Sequence, residues 1–214
     1  GVYFATFALE LDGGIMVTAS HNPPDYNGLK LVREKSKPIG SETGLKDIAA
    51  MIASGTLPPL AKPAGLIRPQ DTSSLYIDHL LSYVDRSKLR KLKVVVDAGN
   101  GGAGLIIDKL EPYLPFEFIK VRHEPDGTFP QGVPNPMLEE NRGPTLEALK
   151  RSGADVAIAW DGDYDRCFFY DEHGTFIEGY YIVGLLAEPF LRRFPGAKIV
   201  YDPRLTWNTV ETVK

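Results

Sequence analysis

The sequence predicts an α/β protein built on mixed, mostly parallel sheets flanked by helices. The main observation is that short apolar strand patterns alternate with helical patterns along the whole chain. In addition, 43% hydrophobic and 24% charged residues are ordinary values for a globular protein, which excludes a largely disordered chain. The 214 residues suffice for one or two domains, at about 100–200 residues each.

Hydrophobic spacing in the first part of the chain predicts two helices and two strands, followed by a linker. The elements are, in order, a helix at 2–11, strands at 14–19 and 29–32, and a helix at 45–52 with Thr43 as N-cap and Gly55 at its end. The segment 57–69 contains four prolines and cannot continue a helix, so it is interpreted as the linker.

The remainder of the chain predicts a second series of alternating elements. They are helices at 74–84, before 110, at 144–152 and at 182–193, strands at 92–96, 116–121, 156–160, 167–170 and 199–201, and the start of a helix after Thr206. The Pro- and Gly-rich stretch 123–143 has no periodicity, which is typical of a functional or mobile loop.

These patterns predict three parts: residues 1–65, 66–174 and 175–214. Neither end of the chain carries the capping pattern of a domain end, so we expect an internal piece of a longer protein. In this interpretation 66–174 forms a complete core. Residues 175–214 are then the start of a further domain, and we expect them to pack poorly by themselves because parallel strands need both faces covered.

Charge and cysteine content exclude several classes of protein. Lys and Arg number 24 against 28 Asp and Glu, a net charge of −4, so the basic footprint of a nucleic-acid binder is absent. No apolar run approaches the roughly 20 residues of a membrane helix, so no membrane partner is expected. The single Cys cannot form an internal disulfide, which favours a reducing, cytoplasmic location.

The first chemically informative segment is 18–30, where a strand meets a turn rich in Asn and Pro. Ser20 lies outside any helix there, His21 beside it is able to move a proton, and Lys30 returns a positive charge towards the serine. This combination suits a phosphorylated nucleophile, which needs cationic and hydrogen-bonding neighbours. A plain surface turn explains the same composition, since Ser, Asn and Pro are common in turns.

The second segment is the acidic loop, 161–166, which follows a buried strand. Asp161, Asp163 and Asp165 stand at alternate positions and repel one another unless a cation lies among them. Oxygen ligands select Mg²⁺ or Ca²⁺. An EF-hand is rejected because Arg166 occupies the position that needs Gly, so Mg²⁺ is preferred, and a solvated acidic turn is the alternative.

The segment 99–104 fits the pattern G-x-G-x-x-G between a strand and a helix. A dinucleotide site also requires an acidic residue at the end of the next strand, but here that strand ends in Lys120, Val121 and Arg122. We therefore interpret the segment as a turn that needs small residues. Cys167, directly after the acidic loop, is interpreted as a packed residue rather than a nucleophile.

The two segments together resemble the α-D-phosphohexomutase superfamily. Its phosphoserine loop has the form T-A-S-H-N-P-x-x-x-N-G-x-K, matched at every fixed position from Thr18 to Lys30, and its metal loop has the form D-G-D-x-D-R, matched from Asp161 to Arg166. Pro134-Asn135-Pro136 and Ile177-Glu178-Gly179 are similar to the phosphomannomutase branch.

The resemblance implies a protein of four repeated α/β domains, of which this chain covers the end of the first, the second and the opening of the third. The sugar-selecting loop and the phosphate-binding loop of the later domains are then missing, so the chain alone is expected to be inactive. The implied partner is a phosphorylated hexose. A phosphoglucomutase or a dual-specificity enzyme remains an alternative, as does a non-catalytic fragment that binds metal or phosphate.

The resemblance also assigns roles to individual residues. Ser20 carries a phosphate that is transferred to the bound sugar. Mannose 6-phosphate and mannose 1-phosphate are thereby interconverted through a bisphosphorylated sugar. Mg²⁺ is bound by Ser20 through its phosphate and by three aspartates, which are expected to converge near it: Asp161, Asp163 and Asp165. Arg166 and Lys30 supply positive charge, and His21 assists proton transfer.

Overall fold

The structure is a computed structural model that describes residues 1–20, 22, 23 and 25–213. The chain divides into two compact units, Gly1–Ser87 and Lys88–Lys214. The three-part division predicted from the sequence stays a prediction. Among the described residues, no helix combines the length and the apolar character that a bilayer crossing requires.

The described residues of the first unit form one antiparallel sheet of two strands and three α-helices. The strands are β1 (Gly13–Val17) and β2 (Leu29–Arg33), and the helices are α1 (Val2–Ala8), α2 (Leu45–Ser54) and α3 (Ser73–Leu81). Gly14 lets α1 lie directly on the sheet, because a Cβ at this position would come within 2.6 Å of Val2 and 2.5 Å of Thr6. The opposite face of the sheet leaves Ile15 and Val17 exposed.

One cap prediction for α2 is wrong. Thr43 is not its N-cap, because the Thr43 hydroxyl already accepts the N–H of Gly40 at 2.8 Å in the preceding 3₁₀ turn. Gly44 occupies the cap position with a φ of 133°. Gly55 ends the helix in the left-handed region at a φ of 69°, as its position after the last apolar residue predicts.

The second unit contains a mixed five-stranded sheet in the order β4-β3-β5-β6-β7. The strands are β3 (Lys93–Asp97), β4 (Glu117–Val121), β5 (Val156–Trp160), β6 (Cys167–Tyr170) and β7 (Phe176–Ile177). β3 pairs in parallel with β4 and with β5, while β6 is antiparallel to β5 and β7. The predicted α/β class with a mixed sheet is confirmed, and the parallel pairing is confined to three strands.

Helices cover both faces of β3, as a central parallel strand requires. The helices of this unit are α4 (Ala103–Leu110), α5 (Gly143–Ser152), α6 (Gly179–Arg193) and α7 (Trp207–Thr212). Val94 and Val96 pack in one cluster with residues of α4, whereas Val95 packs on the other face with residues of α5. Each buried valine side chain contributes about 1.5–3 kcal/mol, so β3 is the centre of the core.

The strand predicted at 199–201 is wrong. These residues form no regular structure, and Val200 is 93% exposed. An apolar run becomes a strand only where a neighbouring strand accepts its backbone hydrogen bonds, and no strand in the described part of the chain pairs with this segment. The adjacent helices α6 and α7 pack on each other instead, with Asn208 Nδ2 donating to the carbonyl of Tyr180 at 3.1 Å. α6 also leaves Leu185 exposed.

Candidate metal centre and serine loop

The acidic loop joins β5 to β6, whose last register pair is Trp160 with Cys167. Inside it the N–H of Tyr164 donates to the carbonyl of Asp161 at 3.0 Å, and Tyr164 adopts a φ of 47°. The N–H of Asp161 donates in turn to the carbonyl of Arg166 at 3.4 Å. The hairpin thus closes into a tight loop at the end of two core strands.

The structure brings together three of the four predicted metal ligands, the aspartates, while the predicted part of Ser20 stays a prediction. One carboxylate oxygen from each of Asp161, Asp163 and Asp165 lies within 4.8 Å of the other two. Asp161 is buried, Asp163 half-buried and Asp165 exposed, so the group opens from the core towards solvent. Carboxylate oxygens are the donors that hard divalent cations prefer, so these residues fit a bound metal ion.

Arg166 fixes the buried carboxylate of this group. Its Nε and Nη2 donate to Oδ2 of Asp161 at 2.9 and 2.5 Å, and its backbone N–H donates to Oδ1 at 3.1 Å. Burial raises the pKa of the Asp161 carboxyl, and the hydrogen bonds from Arg166 oppose that rise. Arg166 therefore acts on the orientation of Asp161 as well as on the charge of the loop.

A buried ion pair beside this loop was missed from the sequence. Asp97, at the end of β3, accepts bonds from Arg122 Nε at 2.9 Å and Nη2 at 2.6 Å, and both side chains are almost wholly buried. Thr145 donates to Asp97 at 2.6 Å, and so does the N–H of Gly99 at 3.0 Å. A signal was present, because opposite charges directly at the ends of two apolar strands meet when those strands are parallel neighbours.

The glycine-rich segment is a βα turn, as interpreted from the sequence. Gly99 and Asn100 adopt φ angles of 58° and 59°. The N–H of Gly102 donates to the carbonyl of Gly162 at 3.1 Å, so this turn lies against the acidic loop.

Cys167, interpreted from the sequence as a packed residue, is exposed. It stands at the first position of β6. It lies beside a cavity of about 460 Å³ that is also lined by Phe168 and Phe176.

The serine loop, residues 18–28, joins β1 to β2 in the first unit. The N–H of Thr18 donates to the carbonyl of Gly28 at 3.0 Å, which extends the hairpin beyond its strands. Ser20 has a φ of 55°, and its N–H donates to the hydroxyl of Thr18 at 2.9 Å. Lys30 lies on β2 opposite Met16. His21 falls outside the described residues, so its predicted role stays a prediction.

The fold and these loops define an α/β protein with three converging carboxylates that could hold a cation in one unit and a serine-bearing hairpin in the other. Comparison with known families gives two matches. A model described as phosphoglucomutase/phosphomannomutase, alpha/beta/alpha domain I, matches residues 1–58, and the corresponding domain II matches residues 74–174. Together they match well over half of the chain, and the chain belongs to the phosphoglucomutase/phosphomannomutase family.

Individual relatives agree with this membership. A protein named "Phosphohexose mutases" from Xanthomonas campestris is 60% identical over 213 residues, covering 100% of this chain and 47% of the relative. A phosphomannomutase from Salmonella typhimurium is 56% identical over 218 residues, covering 99% of this chain and 48% of the relative. The chain thus spans slightly less than half the length of these relatives.

A solved structure shares the fold. It is a phosphoglucomutase/phosphomannomutase family protein from Burkholderia thailandensis, 32% identical, with a TM-score of 0.82 over 94% of this chain and 43% of its own.

Proposed function

We propose that this chain is the part of a phosphomannomutase that carries the phosphoserine and binds Mg²⁺. The whole enzyme would convert mannose 6-phosphate and mannose 1-phosphate into each other through a bisphosphorylated sugar, and this chain alone would be inactive. The observation that carries the proposal is the convergence of Asp161, Asp163 and Asp165 within 4.8 Å, in a protein that also holds the complete serine motif. The single cysteine fits the cytoplasmic setting proposed with it.

Ser20 is proposed to carry the transferred phosphate. A hydroxyl oxygen of the sugar attacks the phosphorus and gives its proton to His21, while the bond between phosphorus and Ser20 Oγ breaks. The leaving Oγ takes up that proton from His21, so the step neither gains nor loses a proton. The bisphosphorylated sugar then reorients, and Ser20 Oγ attacks the phosphorus of its other phosphate as the bond between that phosphorus and the sugar oxygen breaks. The proton of the serine hydroxyl passes to the leaving sugar oxygen, and the phosphoserine is restored.

The backbone of the serine loop supports this role. A φ of 55° is uncommon for a residue with a side chain and costs of order 1–3 kcal/mol where the surroundings impose it. The hydrogen bond from the Ser20 N–H to Thr18 holds this conformation at the mouth of the hairpin. Ser20 therefore lies on a turn whose shape is specified, rather than on a strand where its side chain would pack.

The charges around the proposed reaction have distinct tasks. Mg²⁺, bound by Asp161, Asp163, Asp165 and a phosphoserine oxygen, would neutralise charge on the transferring phosphoryl group. Arg166 keeps Asp161 in place through its two side-chain hydrogen bonds. Lys30 is proposed to add positive charge beside the serine phosphate.

The proposal is tested with Ser20→Ala in the protein produced from its full reading frame. We expect mutase activity on mannose 1-phosphate to fall below detection while the melting temperature stays unchanged, because a loop hydroxyl contributes little to packing. Ser41→Ala, in the same unit but outside the loop, is the matched control and should keep full activity. Normal turnover by Ser20→Ala would refute the phosphoserine role.

A dual-specificity phosphohexomutase is the second candidate. It is favoured by the family description, which names phosphoglucomutase and phosphomannomutase together. Comparing kcat/KM for mannose 1-phosphate and glucose 1-phosphate distinguishes the two candidates, since a dedicated phosphomannomutase strongly prefers mannose.

A further inference from the structure

The turn formed by residues 99–102, here named the glycine turn, touches the backbone of the acidic loop. A Cβ on Gly101 would lie 2.4 Å from the oxygen, 2.8 Å from the Cα and 2.9 Å from the carbonyl carbon of Gly162. All three are backbone atoms, so no side-chain rotation relieves the overlap. The contact therefore requires glycine at position 101.

A second contact lies one residue further on. A Cβ on Gly102 would come 2.6 Å from Cε1 and 2.8 Å from Cδ1 of Tyr164, so the tyrosine ring packs directly against Gly102. The same ring packs against the core cluster around Val94 and Val96. Gly162 and Tyr164 are the two residues that alternate with the aspartates, and the glycine turn contacts both of them.

The glycine turn is itself anchored to the ends of the core strands. The N–H of Gly101 donates to the carbonyl of Ala98 at 2.8 Å, and the N–H of Asn100 donates to the carbonyl of Arg122 at 2.7 Å. Gly99 is tied to Asp97, which forms the buried ion pair with Arg122. The support thus runs from the core through the glycine turn to the acidic loop.

This support opposes a physical cost. Three carboxylates that converge within 4.8 Å repel one another, and an unsupported loop relieves the repulsion by separating them. A loop that holds them together before the cation arrives avoids that reorganisation on binding, which strengthens binding. The residues between the aspartates are where such support acts without occupying a ligand position.

We propose that Gly101 and Gly102 are positioning residues for the cation site, and that their contacts with Gly162 and Tyr164 hold the three carboxylates in binding geometry. This inference rests on the proposed function only in that the acidic loop binds a divalent cation. It assigns a task to a segment outside the serine and acidic motifs.

The test measures Mn²⁺ binding to the 214-residue chain by electron paramagnetic resonance, since Mn²⁺ accepts the same oxygen ligands as Mg²⁺. We expect Gly101→Ala to weaken binding by about 10- to 100-fold, the usual effect of removing support behind metal ligands. Gly127→Ala is the matched control, because Gly127 lies in the same unit with no neighbouring atom within 4 Å of an added Cβ. It should bind as the wild type does.

A second variant covers the case in which Gly101→Ala fails to fold. Tyr164→Ala removes the ring from Gly102 without inserting an atom, and should weaken Mn²⁺ binding several-fold while the circular dichroism spectrum is kept. Tyr113→Ala, an exposed tyrosine of the same unit, is its control.

The outcomes separate the two proposals. If the wild type binds Mn²⁺ and the folded variants bind it equally well, the positioning role is overturned and the metal site stands. If the wild type binds no Mn²⁺, the metal role fails, and the positioning role fails with it.

Discussion

The serine loop and the acidic loop are both hairpin connections, but different forces shape them. The serine loop is held by bonds within its own hairpin, from Thr18 to Gly28 and from Ser20 to Thr18. The acidic loop also has bonds within its own hairpin, but in addition a segment distant in sequence holds it, through the bond from Gly102 to Gly162. The shape of the first loop is therefore a property of local sequence, and the shape of the second depends on the folded core as well.

The two loops also differ in burial: the described tip of the serine loop is exposed, whereas the acidic loop begins at a buried residue. The described residues from Asn22 to Asn27 are all exposed, and the strands beside them leave Val17 and Leu29 exposed as well. Asp161, in contrast, has no exposed surface, and β5 before it is part of the core. Converging negative charges need a rigid scaffold, whereas a single hydroxyl needs only a defined turn.

The largest effect is expected from Arg122→Ala, which leaves Asp97 buried without its cation. Removing one partner of a buried ion pair costs about 3–5 kcal/mol, because the remaining charge loses its compensation. Urea unfolding followed by Trp160 fluorescence measures the loss. Arg204→Ala, which breaks an exposed pair with Asp202, should change stability little. Equal effects of the two variants would mean that the buried pair does not support the core.

A smaller effect on stability is expected from Gly28→Ala, which alters only the serine loop. Its Cβ would lie 2.6 Å from the carbonyl oxygen of Thr18, so the hairpin must shift at a cost of about 1–3 kcal/mol. We expect faster hydrogen exchange at the Thr18 amide and unchanged Mn²⁺ affinity. Gly65→Ala, with no atom within 4 Å of the added Cβ, is the control. Loss of Mn²⁺ binding in Gly28→Ala would contradict the separate origins of the two loops.

The smallest effect is expected from Asp163→Asn in the metal-free chain at neutral pH. Removing one of three converging charges removes two repulsive pairs, each worth about 1 kcal/mol at this separation in water. The melting temperature should therefore rise slightly, while Mn²⁺ affinity falls. Glu140→Gln removes an exposed charge of the same unit and should move neither quantity. A lower melting temperature for Asp163→Asn would indicate that the carboxylates do not repel one another in the folded chain.

The sequence predicts much of the second unit because its strands are apolar runs. The strands Val156–Trp160 and Cys167–Tyr170 have the predicted bounds, since each is bracketed by charged or glycine-containing turns. β7 was missed because two residues carry no periodicity. The strand expected at 199–201 was wrong because apolar composition does not supply a pairing partner.

Some residues of the candidate site can likewise be predicted from the sequence, and others cannot. The three aspartates are recognisable because ligand type and spacing lie within one short segment. The Asp97–Arg122 pair is harder to recognise, because opposite charges at two strand ends indicate a pair only once it is known which strands become neighbours and in which register. The contact between Gly101 and Gly162 is still harder to predict from the sequence, since it depends on how closely two loops approach each other.

The glycine turn also explains why segment 99–104 imitates a nucleotide-binding fingerprint. In that fingerprint, missing side chains let the backbone approach a pyrophosphate group. Here they let one stretch of backbone approach another, with the Gly162 carbonyl in the place where a ligand oxygen would otherwise accept the N–H of Gly102. The same glycine pattern arises because both situations require residues without side chains at these positions. The rest of the chain determines whether a ligand or another backbone segment fills the space.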